Sequence, residues 1–546
     1  MRIRGRMTII IALLFLSWLA ACDGTDDPCS GALLAKTTSG CLRGAGLESG
    51  RRAFLGIPYA QPPIGARRFT PPTPVDPWTG IREATRFGPA CPQFVRSGGN
   101  PMTLFALSVP ESEDCLSLNV WTPAGASGLP VLFFIHGGAD AGAGSLPVYA
   151  DDPALARNAV LVTINFRFGP LGYLAHRELT EESGASGNWF LQDQILALRW
   201  VRANARAFGG DPDRILIFGQ SAGGGMVSLL LFAAPPVEHL FSSALVQSAP
   251  FSVSNLRRMP LLEKGEEFGE LFSRQLGCDP VPAGSESVAA CLREKDVPAL
   301  KTAWLALVID HQCPCGLPAA AALVDGVVLP DQPAALLERD EFNHVPLVSG
   351  FMAQEQGPFG LSVAGGVRNW DDLEARLRDT GARMRLPDID GLVELYRRPN
   401  EYETAAIAFD HFNLDSGYVC WNRDLLSAMN DHGVPTFGYV NDHGSSFGLL
   451  PGLPTHGVDL YFVFGSHAAE ELFSSDEAAF AATLQDAWTS VAAGAPAFSG
   501  FGPWPPFPPD TLVRLQSEGD PGGGLQTVAG LRREQCDFLA GQIPFP

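Results

Sequence analysis

Short apolar runs that each end in a glycine-rich or polar turn are the feature of this sequence that most restricts its fold. Six of these runs occur, at residues 131–135, 159–164, 214–218, 244–246, 345–348 and 436–440. Short apolar runs without polar alternation are typical of strands buried on both faces. Segments with helical periodicity lie between them, at 189–207 and 222–232. This alternation predicts an α/β fold with a large, mostly parallel sheet and helices on both faces.

The composition and length are consistent with one large enzyme-sized unit. Apolar residues make up 46% of the chain, which is enough for an extensive core. A proline- and glycine-rich stretch at 495–509 is followed by too few residues for a separate stable domain. We therefore expect residues 34–546 to form a single domain. The formal net charge of −21 repels phosphate backbones, so no nucleic acid partner is expected.

The N-terminus carries the pattern of an export signal. Three arginines precede an apolar segment at 7–19, which is shorter than the roughly 20 residues of a membrane span. The segment ends in Leu19-Ala-Ala-Cys22, which resembles a bacterial lipoprotein cleavage site. We expect a signal peptide over 1–21, lipidation of Cys22 and a polar tether over 22–33. The protein would then be exported and attached to the cell envelope through lipid alone, with secretion as the alternative.

The cysteines indicate disulfide bonds rather than a metal site. The chain has 11 cysteines, and none forms a CxxC pair or a Cys/His cluster with zinc-ligand spacing. In an exported chain such cysteines usually pair with one another. Cys313 and Cys315 are close enough in the sequence to be two ligands of one metal ion, but no set of further ligands lies near them in the sequence. We expect no metal ion and no cofactor.

A G-x-S-x-G pattern at Gly219-Gln-Ser221-Ala-Gly223 indicates a catalytic serine. The pattern alone is weak in a chain with 59 glycines, but here a predicted strand precedes it and a predicted helix follows it. A sharp strand-to-helix turn lifts the serine hydroxyl clear of the sheet, and the helix start directs backbone N–H groups at developing negative charge. Ser221 is the predicted nucleophile.

A nucleophilic serine needs a histidine base and an acid that orients it, in the chain order Ser, acid, His on this kind of turn. His432 precedes the strand at 436–440, which puts it at the wrong end of the sheet. His443 and His456 both follow that strand, and the residues alone do not separate them. Glu355 follows a strand and Gly350, but other carboxylates do so too.

Several independent motifs resemble those of the type-B carboxylesterases, the cholinesterase-like group. They are Phe54–Pro63, Ser112–Asn119, Phe208–Pro212 before the serine turn, and Trp504–Pro506. They occur in the family's order, and the resemblance runs from about residue 34 to 540. It implies the α/β-hydrolase fold and hydrolysis of carboxylic esters.

The resemblance also implies the catalytic residues. Ser221 matches the family's nucleophile, and Glu355 matches its acid within the segment 350–359. His456, in Pro454-Thr-His-Gly457, matches its base, whereas His443 matches a different family histidine. The implied mechanism is a Ser-His-Glu triad that forms an acyl-enzyme on small to medium uncharged esters. The alternatives are a non-catalytic binding protein of the same fold, and amide or thioester hydrolysis at the same site.

The glycine loop after the first long apolar run resembles the family's oxyanion hole. Backbone N–H groups of Gly138, Ala139 and Ala222 would hold the oxyanion, each worth about 3 kcal/mol in the transition state. The implied disulfides are Cys91–Cys115, Cys278–Cys291 and Cys420–Cys536. The pairing of Cys29, Cys41, Cys313 and Cys315 is left open.

The sequence departs from the family pattern beside the catalytic residues. Gln220 precedes Ser221 where many relatives carry Glu, and Gln354 and Gln356 flank Glu355. Asp140 stands where an aromatic residue usually follows the glycine loop. No tryptophan lies between Cys91 and Cys115, where cholinesterases place the ring that stacks on choline, so cholinesterase activity is disfavoured.

Overall fold

An eleven-stranded sheet forms the centre of the structure, a computed structural model. It describes residues 29–94, 109–138, 141–234, 237, 239–250, 259–310, 322–355, 366–447, 451–507, 510–520 and 523–542. The predicted signal peptide, Cys22, Ala139, Asp140, Cys313 and Cys315 lie outside these residues. Among the residues described, no helix has the length and apolar character that crossing a membrane requires.

The strands are β1 Leu34–Thr37, β2 Gly40–Arg43, β3 Ala45–Gly46, β4 Arg51–Pro58, β5 Ile81–Glu83, β6 Ser117–Pro123, β7 Leu129–Ile135, β8 Val160–Ile164, β9 Gly210–Gln220, β10 Ser243–Gln247, β11 Leu347–Met352, β12 Thr436–Asn441, β13 Ala497–Phe498, β14 Gly502–Pro503, β15 Thr511–Leu515 and β16 Gln526–Ala529. The large sheet has the order β16-β15-β12-β11-β10-β9-β7-β8-β6-β4-β3. The seven strands from β15 to β8 run parallel, and antiparallel strands flank them on both sides. The predicted mostly parallel sheet is confirmed.

The α-helices of the described residues are α1 Pro147–Ala150, α2 Gly169–Tyr173, α3 Arg177–Ser183, α4 Trp189–Asn204, α5 Ala222–Leu231, α6 Leu262–Gln275, α7 Val288–Glu294, α8 Val297–Leu305, α9 Pro333–Glu338, α10 Trp370–Met384, α11 Ile389–Tyr396, α12 Ala405–Leu414, α13 Cys420–Asp431, α14 Asp459–Phe464, α15 His467–Glu470, α16 Ser475–Ala492 and α17 Arg533–Gln542. A π-helical turn, Asp415–Val419, joins α12 to α13.

Alternate residues of the central strands point into two different cores, one on each face of the sheet. In β7, Phe133 packs in one core and Phe134 in the other. Helices α4, α5 and α13 contribute to the first core, whereas α14 and α16 contribute to the second. Both faces of the central strands are therefore covered by helices, which is why their sequences are continuously apolar.

Four disulfide bonds are formed among the described cysteines. They include the three implied by the family resemblance, Cys91–Cys115, Cys278–Cys291 and Cys420–Cys536. The fourth, Cys29–Cys41, settles a pairing that the sequence left open. It attaches the last residues of the predicted tether covalently to β2.

The bond Cys420–Cys536 is expected to contribute the largest share of disulfide stabilisation, since it closes a loop across 116 residues. Loss of that closure through a Cys420→Ser, Cys536→Ser double variant should lower the free energy of unfolding by about 4–5 kcal/mol in the chain-entropy model. Urea denaturation under non-reducing conditions measures this change. The matched control removes Cys278–Cys291, whose separation is 13 residues, and should cost about 3 kcal/mol. Equal losses for the two variants would contradict the loop-length argument.

Candidate active site

Ser221 lies at the turn between β9 and α5, as its sequence pattern predicts. Its φ of 59° and ψ of −128° lie outside the regions that residues other than glycine normally occupy. The backbone N–H of Ser221 donates to the carbonyl of Gln247 at the end of β10, over 2.8 Å. This hydrogen bond joins the strained turn to the neighbouring strand. The Ser221 side chain is half-buried, at the carboxyl end of β9.

The glycines of the motif are required by close backbone packing. A Cβ on Gly223 would lie 2.0 Å from the carbonyl oxygen of Ile135, and one on Gly219 would lie 2.5 Å from the backbone of Gly223. No side chain fits at such distances. The small residues therefore allow the first turn of α5 to approach β7, which brings the glycine loop after β7 beside Ser221.

His456 and Glu355 form a buried hydrogen-bonded contact. Nδ1 of His456 lies 2.5 Å from Oε2 of Glu355, and the two side chains are 8% and 0% exposed. The other carboxylate oxygen, Oε1, accepts a hydrogen bond from the backbone N–H of Met352 over 2.8 Å. Because both oxygens of Glu355 are occupied, the carboxylate has a single orientation and holds the imidazole through Nδ1–H.

Two loops that are distant in the sequence bring this pair together. Glu355 follows β11 directly, and His456 lies in the loop that leads to α14. A parallel bridge between Gln354 and Thr455 joins the loops, and the N–H of Gln354 donates to the carbonyl of Pro454 over 3.1 Å. The acid and the base are therefore held in register by backbone pairing of the residues just before them.

Gln220 connects the histidine to the serine turn. Its side-chain nitrogen lies 3.2 Å from Nε2 of His456, and the residue is 2% exposed. Since Nδ1–H donates to a carboxylate that can only accept, Nε2 of the neutral ring carries the lone pair and accepts from the amide of Gln220. The basic nitrogen of His456 thus faces the strand end from which Ser221 projects.

The charges around His456 favour its protonated form. Burial by itself lowers the pKa of His456, but the charge and hydrogen bond of Glu355, with the charge of Asp459, outweigh it and raise the pKa above its ordinary value. Asp459 is itself buried, and burial raises its pKa to about 6 despite a hydrogen bond from Gln247. The ring of Tyr418, in the π-helical turn, packs against His456 with centroids 5.7 Å apart.

The other candidate histidines have different partners. Nδ1 of His443 lies 2.7 Å from Asp520, and His432 lies 3.1 Å from the exposed Asp340. His443 is also packed between two phenylalanines, at 462 and 480. Of the histidines that the structure describes, only His456 contacts Glu355.

The glycine loop lies directly against the nucleophile. A Cβ on Gly137 would lie 2.9 Å from Cβ of Ser221, so this position tolerates no side chain. Gly138 follows with a φ of +112°, which favours glycine, and Ala222 is the first residue of α5. Ala139, the third predicted oxyanion residue, lies outside the described residues.

Asp459 and Tyr418 are site residues that the sequence did not single out. Asp459 lies three positions after His456, and its burial follows from the packing of α14. Tyr418 lies in a helical segment with no catalytic pattern around it. Among the described residues, no cluster of three or more His, Cys, Asp or Glu is arranged to hold a metal ion.

The fold and the serine turn define an α/β-hydrolase. Residues 32–539 match the model of the carboxylesterase family, and the chain belongs to that family. A solved structure of a PNB esterase is similar, with a TM-score of 0.77 and 30% identity, covering 93% of this chain and 99% of that one. The protein is a carboxylic ester hydrolase.

The similar curated proteins are enzymes of the same family. An acylcarnitine hydrolase of Rattus norvegicus is 32% identical over 88% of this chain and 87% of its own length. The pyrethroid hydrolase Ces2e of Rattus norvegicus is 32% identical over 94% and 90%. Carboxylesterase 1C of Rattus norvegicus is 29% identical over 91% and 92%.

Proposed function

We propose that the chain hydrolyses esters through a triad of Ser221, His456 and Glu355. The observation that carries the proposal is the buried pair of His456 and Glu355, in which the second ring nitrogen of His456, Nε2, faces Gln220, the residue before Ser221. A serine hydroxyl is a weak nucleophile unless an adjacent base takes its proton. The strained turn at Ser221 offers the hydroxyl, and Glu355 fixes the tautomer in which Nε2 is the base.

In the proposed mechanism, the Ser221 oxygen attacks the ester carbonyl while its proton passes to Nε2 of His456. The tetrahedral oxyanion accepts hydrogen bonds from the backbone N–H groups of Gly138, Ala139 and Ala222. The imidazolium then protonates the departing alcohol, which leaves Ser221 acylated. Water, deprotonated by the same histidine, attacks the acyl-enzyme, and the acid leaves as Ser221 regains its proton.

The proposed substrates are small to medium uncharged esters. The net charge of −21 gives no attraction for anionic substrates, and one of the relatives named above is a pyrethroid hydrolase. Values of kcat/KM for nitrophenyl esters of increasing acyl length would define the range. Matched esters, amides and thioesters with one acyl group would show the leaving group that the site prefers.

Covalent labelling tests the triad directly. A fluorophosphonate should add one phosphonyl group per chain, located on Ser221 by mass spectrometry of the digested protein. Labelling should abolish ester hydrolysis and should not occur in a Ser221→Ala variant. Label on another residue, or full activity after complete labelling of Ser221, would overturn the proposal.

The raised pKa of His456 predicts the pH dependence. Only the neutral imidazole accepts the serine proton, so kcat/KM should fall as pH decreases through a midpoint above pH 6.5, the usual value for histidine. Asp459→Asn removes a negative charge that raises this pKa, so the midpoint should move to lower pH. The hydrogen bond from Gln247 is retained, because an amide oxygen still accepts it.

A matched control tests whether the shift comes from the charge of Asp459 or from any replacement of a hydrogen-bonded Asp by Asn. Asp442 also accepts a hydrogen bond from a glutamine amide, that of Gln516. Asp442→Asn should leave the midpoint of the kcat/KM profile where it is in the unaltered enzyme. A midpoint that stays fixed or rises in Asp459→Asn would contradict the assigned role of the Asp459 charge.

We also propose export and lipid attachment through Cys22. The support is the arginine-rich start, the apolar segment at 7–19 and the Leu-Ala-Ala-Cys box. Mass spectrometry of the mature N-terminus should find Cys22 as the first residue, carrying acyl chains. An unmodified N-terminus, as left by an ordinary signal peptidase, would contradict the anchor and favour secretion.

A further inference from the structure

The loop that follows the glycine motif is held by buried polar side chains at two of its glycines. The N–H of Gly144 donates to Oδ1 of Asn165 over 2.7 Å, and its carbonyl accepts from Asn119 over 3.2 Å. At Gly142 the N–H donates to Oε1 of Gln93 over 2.5 Å, and the carbonyl accepts from Nε2 of Gln93 over 3.1 Å. One amide therefore pairs with both backbone groups of Gly142.

Gln93 is itself fixed in place. It is 0% exposed, and its Nε2 also donates to the carbonyl of Cys91 over 2.5 Å. Its backbone N–H donates to Glu111 over 3.1 Å, and the bond Cys91–Cys115 anchors the segment covalently. Because the Gln93 side chain is held in one position, its two hydrogen bonds also fix the position of Gly142.

Gly142 is linked to Gly138 through its chain neighbour Ala141. The N–H of Ala141 donates to the carbonyl of Gly138 over 3.1 Å. A Cβ on Gly138 would lie 2.1 Å from the carbonyl oxygen of Ala141, and one on Gly142 would lie 2.4 Å from the ring of His136. Because Gly142 follows Ala141 in the chain, a displacement of Gly142 would act on Gly138 through the hydrogen bond from Ala141.

We propose that Gln93 is a positioning residue for the oxyanion loop: its amide holds Gly142, and through Gly142 it sets the place of the Gly138 N–H. This inference rests on the proposed function, since it requires that the glycine loop holds the oxyanion. Oxyanion donors act only within about 2.7–3.1 Å of the developing charge. A misplacement of about 1 Å costs on the order of 10²-fold in rate.

The test is Gln93→Leu, which keeps an apolar body but removes both hydrogen bonds to Gly142. We expect kcat on a nitrophenyl ester to fall by about 30- to 100-fold with KM changed by less than about threefold, because the loss is confined to the transition state. The affinity for a trifluoromethyl ketone, which forms an oxyanion on the serine, should fall by the same factor as kcat/KM.

Asn188 offers a matched control, because its buried amide makes the same double pairing with the backbone of Leu323, over 3.0 and 2.7 Å. Asn188→Leu should lower the melting temperature as Gln93→Leu does, but leave kcat and ketone affinity within about threefold. If Gln93→Leu does not fold, Gln93→Glu serves instead. Its carboxylate still accepts from the Gly142 N–H but repels the Gly142 carbonyl, and it should show the same loss confined to kcat.

The inference would be overturned if the Gln93 variants lost stability but kept kcat and ketone affinity. It would also be overturned if their losses of kcat and of ketone affinity were no larger than those of Asn188→Leu. It would also be overturned if KM rose while kcat stayed constant. A Ser221→Ala variant with substantial activity is a different result, which refutes the triad itself. A dead Ser221→Ala variant alongside a fully active Gln93→Leu variant would refute the role of Gln93 alone.

Discussion

Replacing Ser221 by alanine should reduce kcat on a nitrophenyl ester by about 10⁶-fold, because it removes the hydroxyl on which the proposed acyl-enzyme forms. The residual rate would come from binding and the oxyanion loop alone. Since alanine lacks only the hydroxyl, the turn and its hydrogen bond to Gln247 should persist, and the melting temperature should change little. Steady-state kinetics on purified variant and unaltered enzyme measure the ratio.

The control is Ser228→Ala, on the same helix α5, whose buried hydroxyl donates to the carbonyl of Gly224 over 3.1 Å. That hydrogen bond lies within the helix, so its loss should alter stability and leave kcat nearly constant. A loss of less than tenfold in Ser221→Ala would exclude Ser221 as the nucleophile.

Replacing Glu355 by glutamine should reduce kcat by about 10⁴-fold, the size of effect seen when a triad acid becomes an amide. The carboxylate now accepts hydrogen bonds at both oxygens, from Met352 and from His456. A glutamine has one oxygen and one NH₂ group. If the oxygen stays with Met352, the NH₂ group faces Nδ1 of His456, and the ring must take the tautomer in which Nε2 carries the proton. Nε2 then cannot accept the proton of Ser221.

Glu477→Gln is the matched control for this variant. Glu477 is 2% exposed and accepts hydrogen bonds from the backbone N–H groups of Ser446 and Ser474, so it has the same burial and similar partners. Its replacement should lower the melting temperature without a comparable loss in kcat. If Glu355→Gln kept kcat within tenfold of the unaltered enzyme, another acid would have to orient His456.

Much of the sheet could be predicted because its central strands are buried on both faces. Strands β7, β8 and β12 fall within one or two residues of their apolar runs, since burial demands apolar residues throughout. The edge strands were harder to find. Strand β16 alternates half-buried and exposed residues and pairs on one side only, so its sequence carries little hydrophobic signal.

The serine turn was predictable for a local reason, and the rest of the site was not. The sharp turn between β9 and α5 needs small residues at adjacent positions, and this requirement is visible in the sequence around Ser221. The partner histidine depends on a bridge between two loops, at Gln354 and Thr455, that no local pattern encodes. His443 and His456 both follow β12 in the sequence, and the fold brings them different acids, Asp520 and Glu355. The choice of His456 from the sequence rested on the family resemblance and not on a local pattern.

The disulfide Cys29–Cys41 limits how an anchored form of this enzyme could move. If Cys22 carries lipid, only the six residues between it and Cys29 separate the lipid from a residue that is covalently bonded to β2. The seven steps along the chain from Cys22 to Cys29 span at most about 25 Å even when fully extended. The enzyme would therefore keep the β1–β2 side towards the bilayer, and esters dissolved in the surrounding fluid would reach it from a restricted set of directions.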